Sequence, residues 1–397
     1  MVGMTNPTPH IQRNVSTAEL VAALPSLTGV TVRNSVVVAP FWGKLTSGAM
    51  RIDLPDERTR SAYQRHAGVI LSHLSRLDGC DRVAVAIFTD EAYDTALATW
   101  KEMLDHVLQR VHSAGFHIAE AAVVASDAWG CVLGDTGRRP LSELAAAERR
   151  VPRRPERPPL DVLPAADPDV ADAVTRHVAA RVRRHREPDA LGILRPAREL
   201  DPIEHFEQAL AADPDTVGPA TLAQIISLMQ TEGAVDRTVL QAAFGREVAR
   251  RSWDSTLRTR RRAQQAGCEP IDILEQDFLA GRTAGMGFAL MLAGDTGRRP
   301  SSERLHRAAL LLGRAVAHCQ LAESVWALCA LAWVRWALGL TAAAEELLRC
   351  GHEIDPANSL VPIYHALVTH CFPAWVYDRA PGPEVNRAAR RAAARRR

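Results

Sequence analysis

Three short apolar runs, separated by two segments of helical periodicity, occupy the first third of this 397-residue chain. The runs, residues 35–42, 82–89 and 118–125, are rich in valine, isoleucine and alanine and have the length of buried strands. Between them, residues 62–77 and 95–114 place apolar side chains three and four positions apart, as helices do. This order predicts an N-terminal three-layer α/β domain with a mixed, partly parallel sheet.

A stretch rich in proline and arginine, residues 148–159, follows this pattern. Proline fixes the backbone and removes hydrogen-bond donors, and like charges repel, so this stretch predicts a linker. Almost every later segment has helical periodicity. We therefore predict an α/β domain at 1–147, a Pro/Arg-rich linker at 148–166, a mainly α-helical domain at 167–380 and a basic disordered tail at 381–397.

The chain after the predicted linker contains nine predicted helices. They are residues 170–184, 202–212, 219–231, 237–251, 271–280, 303–318, 323–338, 342–352 and 360–371. Trp326 and Trp333 are seven residues apart, on one helix face, which is typical of a core. Trp336 is also interpreted as a core residue, with an exposed anchor for a partner as the alternative.

Composition narrows the class of protein. The formal charge is +2, and 46 of the 48 basic residues are arginine, so an arginine cluster is weaker evidence of phosphate binding here than in an average chain. No apolar run reaches the ~20 residues of a membrane helix, and the first ten residues lack the pattern of a secretory signal. The seven cysteines include no C-x-x-C pair. These features predict a cytoplasmic protein with reduced thiols and no membrane association.

Three segments of the N-terminal part carry a family resemblance. LVAALPSLTG at 20–29, NSVVV at 34–38 and RIDLP at 51–55 resemble, in this order, domain-of-unknown-function family 4192 of GC-rich Gram-positive (actinobacterial) bacteria. The resemblance implies an α/β domain followed by a helical part and brings no known reaction. A cysteine-rich segment frequent in that family is here reduced to Cys131.

A second resemblance lies near the C-terminus. Gly339, Ala344, Leu348, Gly351 and Pro356 are similar to the second half of a tetratricopeptide repeat. Because no 34-residue array accompanies them, the resemblance implies one helical hairpin and no solenoid. Such hairpins usually bind partners, but a purely structural role is the open alternative.

The heptapeptide GDTGRRP occurs twice, at 134–140 and 294–300. One interpretation is a turn followed by a helix start, since glycine, aspartate and proline suit such positions. The other is an anion site, in which turn amides and paired arginines hold a phosphate or carboxylate. Its candidate residues are Arg138, Arg139, Arg298 and Arg299. The duplicated D-T-G does not favour an aspartic protease, because arginine pairs follow and the second copy lies among predicted helices.

Ligands of open α/β sheets bind at the carboxyl ends of the strands. The residues predicted there are Asp53, at the end of a further predicted strand (45–54), and Thr89, Asp90 and Glu91. The sequence has no Walker loop, G-x-G-x-x-G, G-x-S-x-G or metal-ligand spacing, so we assign no catalytic residue, cofactor or metal.

These observations favour a non-enzymatic binding or adaptor protein with a protein partner or a homo-oligomeric state. One alternative is a small-molecule enzyme that uses the strand-end crevice. Another is association with nucleic acid through the tail, where residues 384–397 carry six arginines and one glutamate.

Overall fold

The computed structural model describes residues 16–43, 46, 48–134, 137–150, 160–184, 201–231, 233–281, 286–319 and 322–377. These form two compact units, which we name the α/β unit (up to residue 150) and the helical unit (160–376). The predicted fold class, a mixed and partly parallel sheet with helices followed by a helical part, is confirmed. Residues 151–159 of the predicted linker and the whole predicted tail (381–397) lie outside the described residues.

The α/β unit is built on one five-stranded sheet in the order β2-β1-β3-β4-β5. Its strands are β1 (Ser35–Phe41), β2 (Met50–Asp53), β3 (Arg82–Phe88), β4 (His117–Val124) and β5 (Trp129–Cys131). The β3–β4 pair is parallel, and the other three pairs are antiparallel. The carboxyl ends of β3 and β4 therefore meet at one edge, where β1 begins and β2 ends.

Four helices cover this sheet. They are α1 (Thr17–Thr28), α2 (Arg60–Leu74), α3 (Tyr93–Ser113) and α4 (Leu141–Glu148). The alternation of side chains along β1 explains the layering, because Val36 and Val38 pack with α2 and α3 while Val37 packs with α1 and α4. With apolar residues on both faces, the sheet needs a helical layer on each side.

Among the described residues, the helical unit contains twelve α-helices, the last of which ends at its boundary. They are α5 (Pro168–Arg184), α6 (Pro202–Ala211), α7 (Pro219–Leu228), α8 (Ala234–Phe244), α9 (Arg246–Ala266), α10 (Pro270–Leu279), α11 (Met286–Leu292), α12 (Ser302–Ala317), α13 (Ser324–Ala337), α14 (Thr341–Ile354), α15 (Leu360–His370) and α16 (Ala374–Tyr377). Among the described residues, no helix has both the length and the apolarity that crossing a membrane requires.

Helix α13 is the centre of the helical unit. Thirteen of its fourteen residues are buried, and α8, α12, α14 and α15 pack against it. Helix α14 returns from α13 across residues 338–340, and its Gly351 lies against Val325 and Leu328. The small residue permits this close approach. The relation of the hairpin to tetratricopeptide repeats stays a prediction.

One prediction for this unit is wrong. The predicted helix 237–251 is two helices, because Gly245 adopts φ 91° and ψ 175° between α8 and α9. Trp336 is buried, which agrees with the core interpretation and not with the alternative of an exposed anchor, and its indole N–H donates to the carbonyl of Cys371 at 3.2 Å. It lies in an aromatic cluster with Trp333, Trp375 and Phe244.

A polar network joins α6, α8 and α12. Arg304 donates to both carboxylate oxygens of Glu207, at 2.7 and 3.0 Å, and to the carbonyl of Gln241 at 2.9 Å. The fully buried side chain of Gln241 donates to Glu207 at 3.0 Å. Burial raises the pKa of Glu207, but the hydrogen bonds from Arg304 and Gln241 outweigh it, so the pKa is lowered from its ordinary value of 4.5.

We expect Glu207→Gln to lower the free energy of unfolding at neutral pH by about 1–3 kcal/mol, because it removes the charge that Arg304 contacts. Since the pKa of Glu207 is lower in the folded state, its stabilising contribution is present above pH 4.5 and is lost as the pH falls through the folded-state value. Urea unfolding at a series of pH values should therefore show the difference from wild type shrinking in acid.

The matched control is Glu204→Gln on the same helix, where the carboxylate pairs with Arg246 at 3.3 Å in a more exposed position. This change should stay within about 0.5 kcal/mol of wild type at neutral pH. An equal effect of both substitutions would contradict the role given to the buried network.

Candidate functional site

The strand-end residues predicted from the sequence lie along one edge of the sheet. Ser35 at the start of β1 faces Asp53 on one side and Phe88 on the other. Thr89, Asp90 and Glu91 continue directly from Phe88. The structure therefore places all four predicted residues along this edge, which we name the strand-end edge, and adds the loop after β4, where Asp127 lies.

Asp90 connects two strands. Its Oδ2 accepts hydrogen bonds from Asn34 Nδ2 at 3.0 Å and from Arg33 Nη2 at 3.1 Å. Its backbone N–H donates to Asn34 Oδ1 at 3.0 Å. Asn34 has φ 41°, a conformation that asparagine tolerates better than most residues. These bonds hold the start of β1 at the end of β3, so Asp90 has a structural function.

Glu91 lies at the centre of the strand-end edge. Its Oε1 accepts from Arg58 Nη2 at 2.7 Å, and its carbonyl accepts from both the backbone N–H and the hydroxyl of Ser126, at 3.0 and 3.1 Å. The Arg58 guanidinium also lies 5.1 Å from the ring centroid of Trp100, a cation–π distance. Glu91 Oε2 is buried and has no hydrogen-bond partner among the described residues.

The loop after β4 is held by Asp127. Its two oxygens accept from the backbone N–H of Tyr93 at 2.8 Å and from Arg138 Nη2 at 2.7 Å. Arg138 Nη1 donates in turn to Asp94 at 3.0 Å. Two carboxylates therefore neutralise Arg138, which leaves little of its charge for an external anion.

The charge pattern of this edge is one of arginine–carboxylate pairs. Asp53 pairs with Arg51. The three carboxylates described above pair with Arg33, Arg58 and Arg138. Such pairing fixes the loops and leaves Glu91 Oε2 as an acceptor for a hydrogen bond. Sequence reasoning missed Arg58, Asn34 and Asp127, because they come from loops that only the folded sheet brings together.

The two GDTGRRP copies belong to different units and share local geometry. Gly134 and Gly294 have φ of 74° and 78°, in the left-handed region that favours glycine. In the first copy, the Arg139 guanidinium lies 5.3 Å from the Trp129 ring centroid, and α4 follows Pro140. Asp135 and Thr136 lie outside the described residues.

In the second copy, the Arg298 guanidinium lies 5.8 Å from the ring centroid of Phe244 and donates to its carbonyl at 3.4 Å. Ser301, the N-cap of α12, follows directly after Arg299 and Pro300. The second copy has the geometry of a turn followed by a helix start, and in the first copy α4 begins directly after Pro140. Anion binding by the four arginines stays a prediction.

Metal ligation receives no support within the described ranges, which contain no group of three or more histidine, cysteine, aspartate or glutamate side chains that could hold an ion.

Burial raises the pKa of the Cys329 thiol to about 12, which leaves it protonated at neutral pH.

We expect Gly130→Ala to destabilise the strand-end edge. A Cβ at this position of β5 would lie 2.2 Å from the hydroxyl of Tyr93 and 2.9 Å from the carbonyl of Gly137, so both neighbours must move. Overpacking of this kind costs about 1–3 kcal/mol, which thermal or urea unfolding of the full chain will measure.

Gly68→Ala in α2 is the matched control, because its Cβ meets nothing within 4 Å. It should stabilise by about 0.5–1 kcal/mol, the usual gain for alanine in a helix. If Gly130→Ala is as stable as wild type, the close contact with Tyr93 does not constrain this position.

Comparisons of the chain with protein-family models, with curated proteins and with solved structures gave no match.

Proposed function

We propose that the protein is a non-enzymatic binding protein and that a partner protein docks on one face of α10. The observation that carries this proposal is an apolar stripe. Ile271, Leu274 and Phe278 lie at positions i, i+3 and i+7 and are 66%, 45% and 63% exposed. Side chains at this spacing share one helix face, which we name the α10 face.

The opposite side of α10 anchors it. Ile273 is 3% exposed, and Asp277 accepts two hydrogen bonds from Arg262 of α9, at 2.6 and 2.9 Å. At the N-terminus, Glu269 and Asp272 form a capping box. The helix is therefore held by its polar side and its cap, and the α10 face points away from α9.

Binding of a partner helix or groove to this face would be favourable, because it would bury apolar side chains. Burial of a leucine, isoleucine or phenylalanine side chain contributes roughly 1.5–3 kcal/mol, and three anchors at helical spacing are typical of helix-in-groove recognition. The exposed charged side chain of Glu275 follows Leu274 on α10. An apolar centre with a polar rim is the usual anatomy of a protein interface.

Other assignments remain proposals with less support. The enzyme alternative needs an unpaired acid or base, and the four carboxylates of the strand-end edge each have an arginine partner. The nucleic-acid alternative depends on a tail outside the described residues. Cytoplasmic location and membership of family 4192 are proposed on the sequence features alone.

A photo-crosslinking amino acid in place of Phe278 tests the proposal. In cells of the native host, we expect a discrete adduct with one other protein, which mass spectrometry identifies. The control is the same replacement at Ile363 of α15, which is equally exposed at 60% but stands outside the α10 face. An adduct with a second copy of the chain would indicate that the α10 face forms a homo-oligomer instead of binding a different protein.

The exposure of the α10 face also predicts how substitutions in α10 change the free energy of unfolding. Phe278→Ser should leave the free energy of unfolding within about 0.5 kcal/mol of wild type, because the side chain is exposed. Ile273→Ala should lower it by about 2–4 kcal/mol, because that side chain is buried. If crosslinking at position 278 does not exceed that at 363, or if Phe278→Ser unfolds the protein, the α10 face is not a docking surface.

A further inference from the structure

The two edges of the sheet in the α/β unit differ. At β5, the backbone of Trp129 exchanges hydrogen bonds with the backbone of Arg139, at 3.0 and 2.8 Å, so this edge is covered. Strand β2 forms the other edge, and within the described residues no strand pairs with its outer side. An uncovered edge strand offers backbone donors and acceptors to another chain.

The pairing of β2 with β1 determines which backbone groups face outward. The N–H of Leu54 donates to the carbonyl of Asn34 at 2.9 Å, and Asp53 stands opposite Ser35. Because hydrogen-bonded and non-hydrogen-bonded pairs alternate along an antiparallel ladder, the N–H and carbonyl groups of Arg51 and Asp53 point away from β1. These groups have no hydrogen-bond partner in the part of the chain that the structure describes.

The side chains of β2 alternate between two faces. Arg51 and Asp53 share one face, where they form an ion pair. Met50, Ile52 and Leu54 share the other face and pack, partly buried, with the core residues of α2 and α3. In an antiparallel pair of two β2 strands with a two-fold axis at Ile52, Arg51 lies opposite Asp53 of the partner subunit. Met50 then lies opposite the partner's Leu54. Both kinds of cross-strand pair, opposite charges and apolar side chains, stabilise a sheet.

We propose that the protein forms a homodimer in which β2 pairs antiparallel with β2 of a second copy. In this register each Arg51 exchanges two backbone hydrogen bonds with Asp53 of the partner subunit, which satisfies the outward groups of both strands. The ladder ends after Met50 and Leu54 for a physical reason. The N–H of Ala49 already donates to the carbonyl of Leu27 at 3.1 Å, and the residue opposite Ala49 would be a proline, which has no N–H.

The charges also select this register. Charged side chains of one sign on an edge strand repel a second copy and prevent pairing. Arg51 and Asp53 have opposite signs, so they attract when the axis is at Ile52. A register shifted by two residues would place Arg51 opposite Arg51 of the partner subunit, or Asp53 opposite the partner's Asp53, and both arrangements are unfavourable. The proposal does not depend on the α10 face, which belongs to the helical unit.

The test is sedimentation velocity of the full chain from nanomolar to high micromolar concentration, which should show a change from monomer to dimer. Arg51→Asp and Asp53→Arg each place like charges opposite one another, and each should raise the dimer Kd about ten-fold. A mixture of these two variants has opposite charges at both positions, so it should form a heterodimer with a Kd close to that of wild type. Phe278→Ser, on the α10 face, is the control and should leave the dimer unchanged.

A disulfide tests the register on a chain with its native charges. In a non-hydrogen-bonded antiparallel pair the Cα atoms are about 4.5 Å apart, which a disulfide spans. Ile52→Cys should therefore give a disulfide-linked dimer on mild oxidation, and wild type treated in the same way controls for the native cysteines. Met50→Cys is the matched control on the same strand face, because its two copies would be roughly 14 Å apart, which is too far.

Three results would overturn the proposal. One is a wild-type chain that stays monomeric at every concentration. Another is a dimer that both charge variants retain with the wild-type Kd, or that only Phe278→Ser disrupts, since the contact would then lie elsewhere. The third is crosslinking at position 50 equal to that at position 52. Circular dichroism and urea unfolding verify that each variant folds, and the disulfide measurement remains decisive if a charge variant does not.

Discussion

The helical unit depends on the burial of α13. A mostly apolar helix is stable only when other helices cover its apolar faces, and α8, α12, α14 and α15 pack against α13. Helices α11 and α16 also contact it, since Trp333 donates to the carbonyl of Leu292 and Trp375 donates to the carbonyl of Ala337. Helix α9 packs on α8 and α10 packs on α9, so α10 is the third layer from α13 along this path.

The local patterns that predicted the fold are those that do not depend on tertiary contacts. Strands β1, β3 and β4 and helices α2 and α3 were predicted because their apolar periods are long enough to recognise. The three-residue β5 has no period, so its pairing with β4 was not visible. The break at Gly245 was missed because apolar spacing continues across it. The neighbours that bury Trp336 could not be identified, because Cys371 and α16 are distant along the chain.

The candidate sites were predictable only in part. The rule that ligands bind at strand ends located Asp53, Thr89, Asp90 and Glu91. It could not identify Arg33 and Arg58, the partners of Asp90 and Glu91, because these pairs join loops 57 and 33 residues apart. Arginine suits these positions better than lysine, because its planar group contacts an aromatic ring and a carboxylate at once, as Arg58 does.

The turn at Gly294 also limits how far the chain can be truncated from its C-terminus. Its carbonyl accepts from the backbone N–H of Ala374 at 3.0 Å, and a Cβ at this position would lie 2.6 Å from Pro373. Trp375, two residues further on, covers the rings of Trp336 and Phe244. A truncation after α15 would remove this cover and expose an aromatic surface to water, with aggregation as the consequence. The segment 371–377 therefore covers the aromatic part of the core, and a C-terminal truncation before residue 378 would cut into this cover.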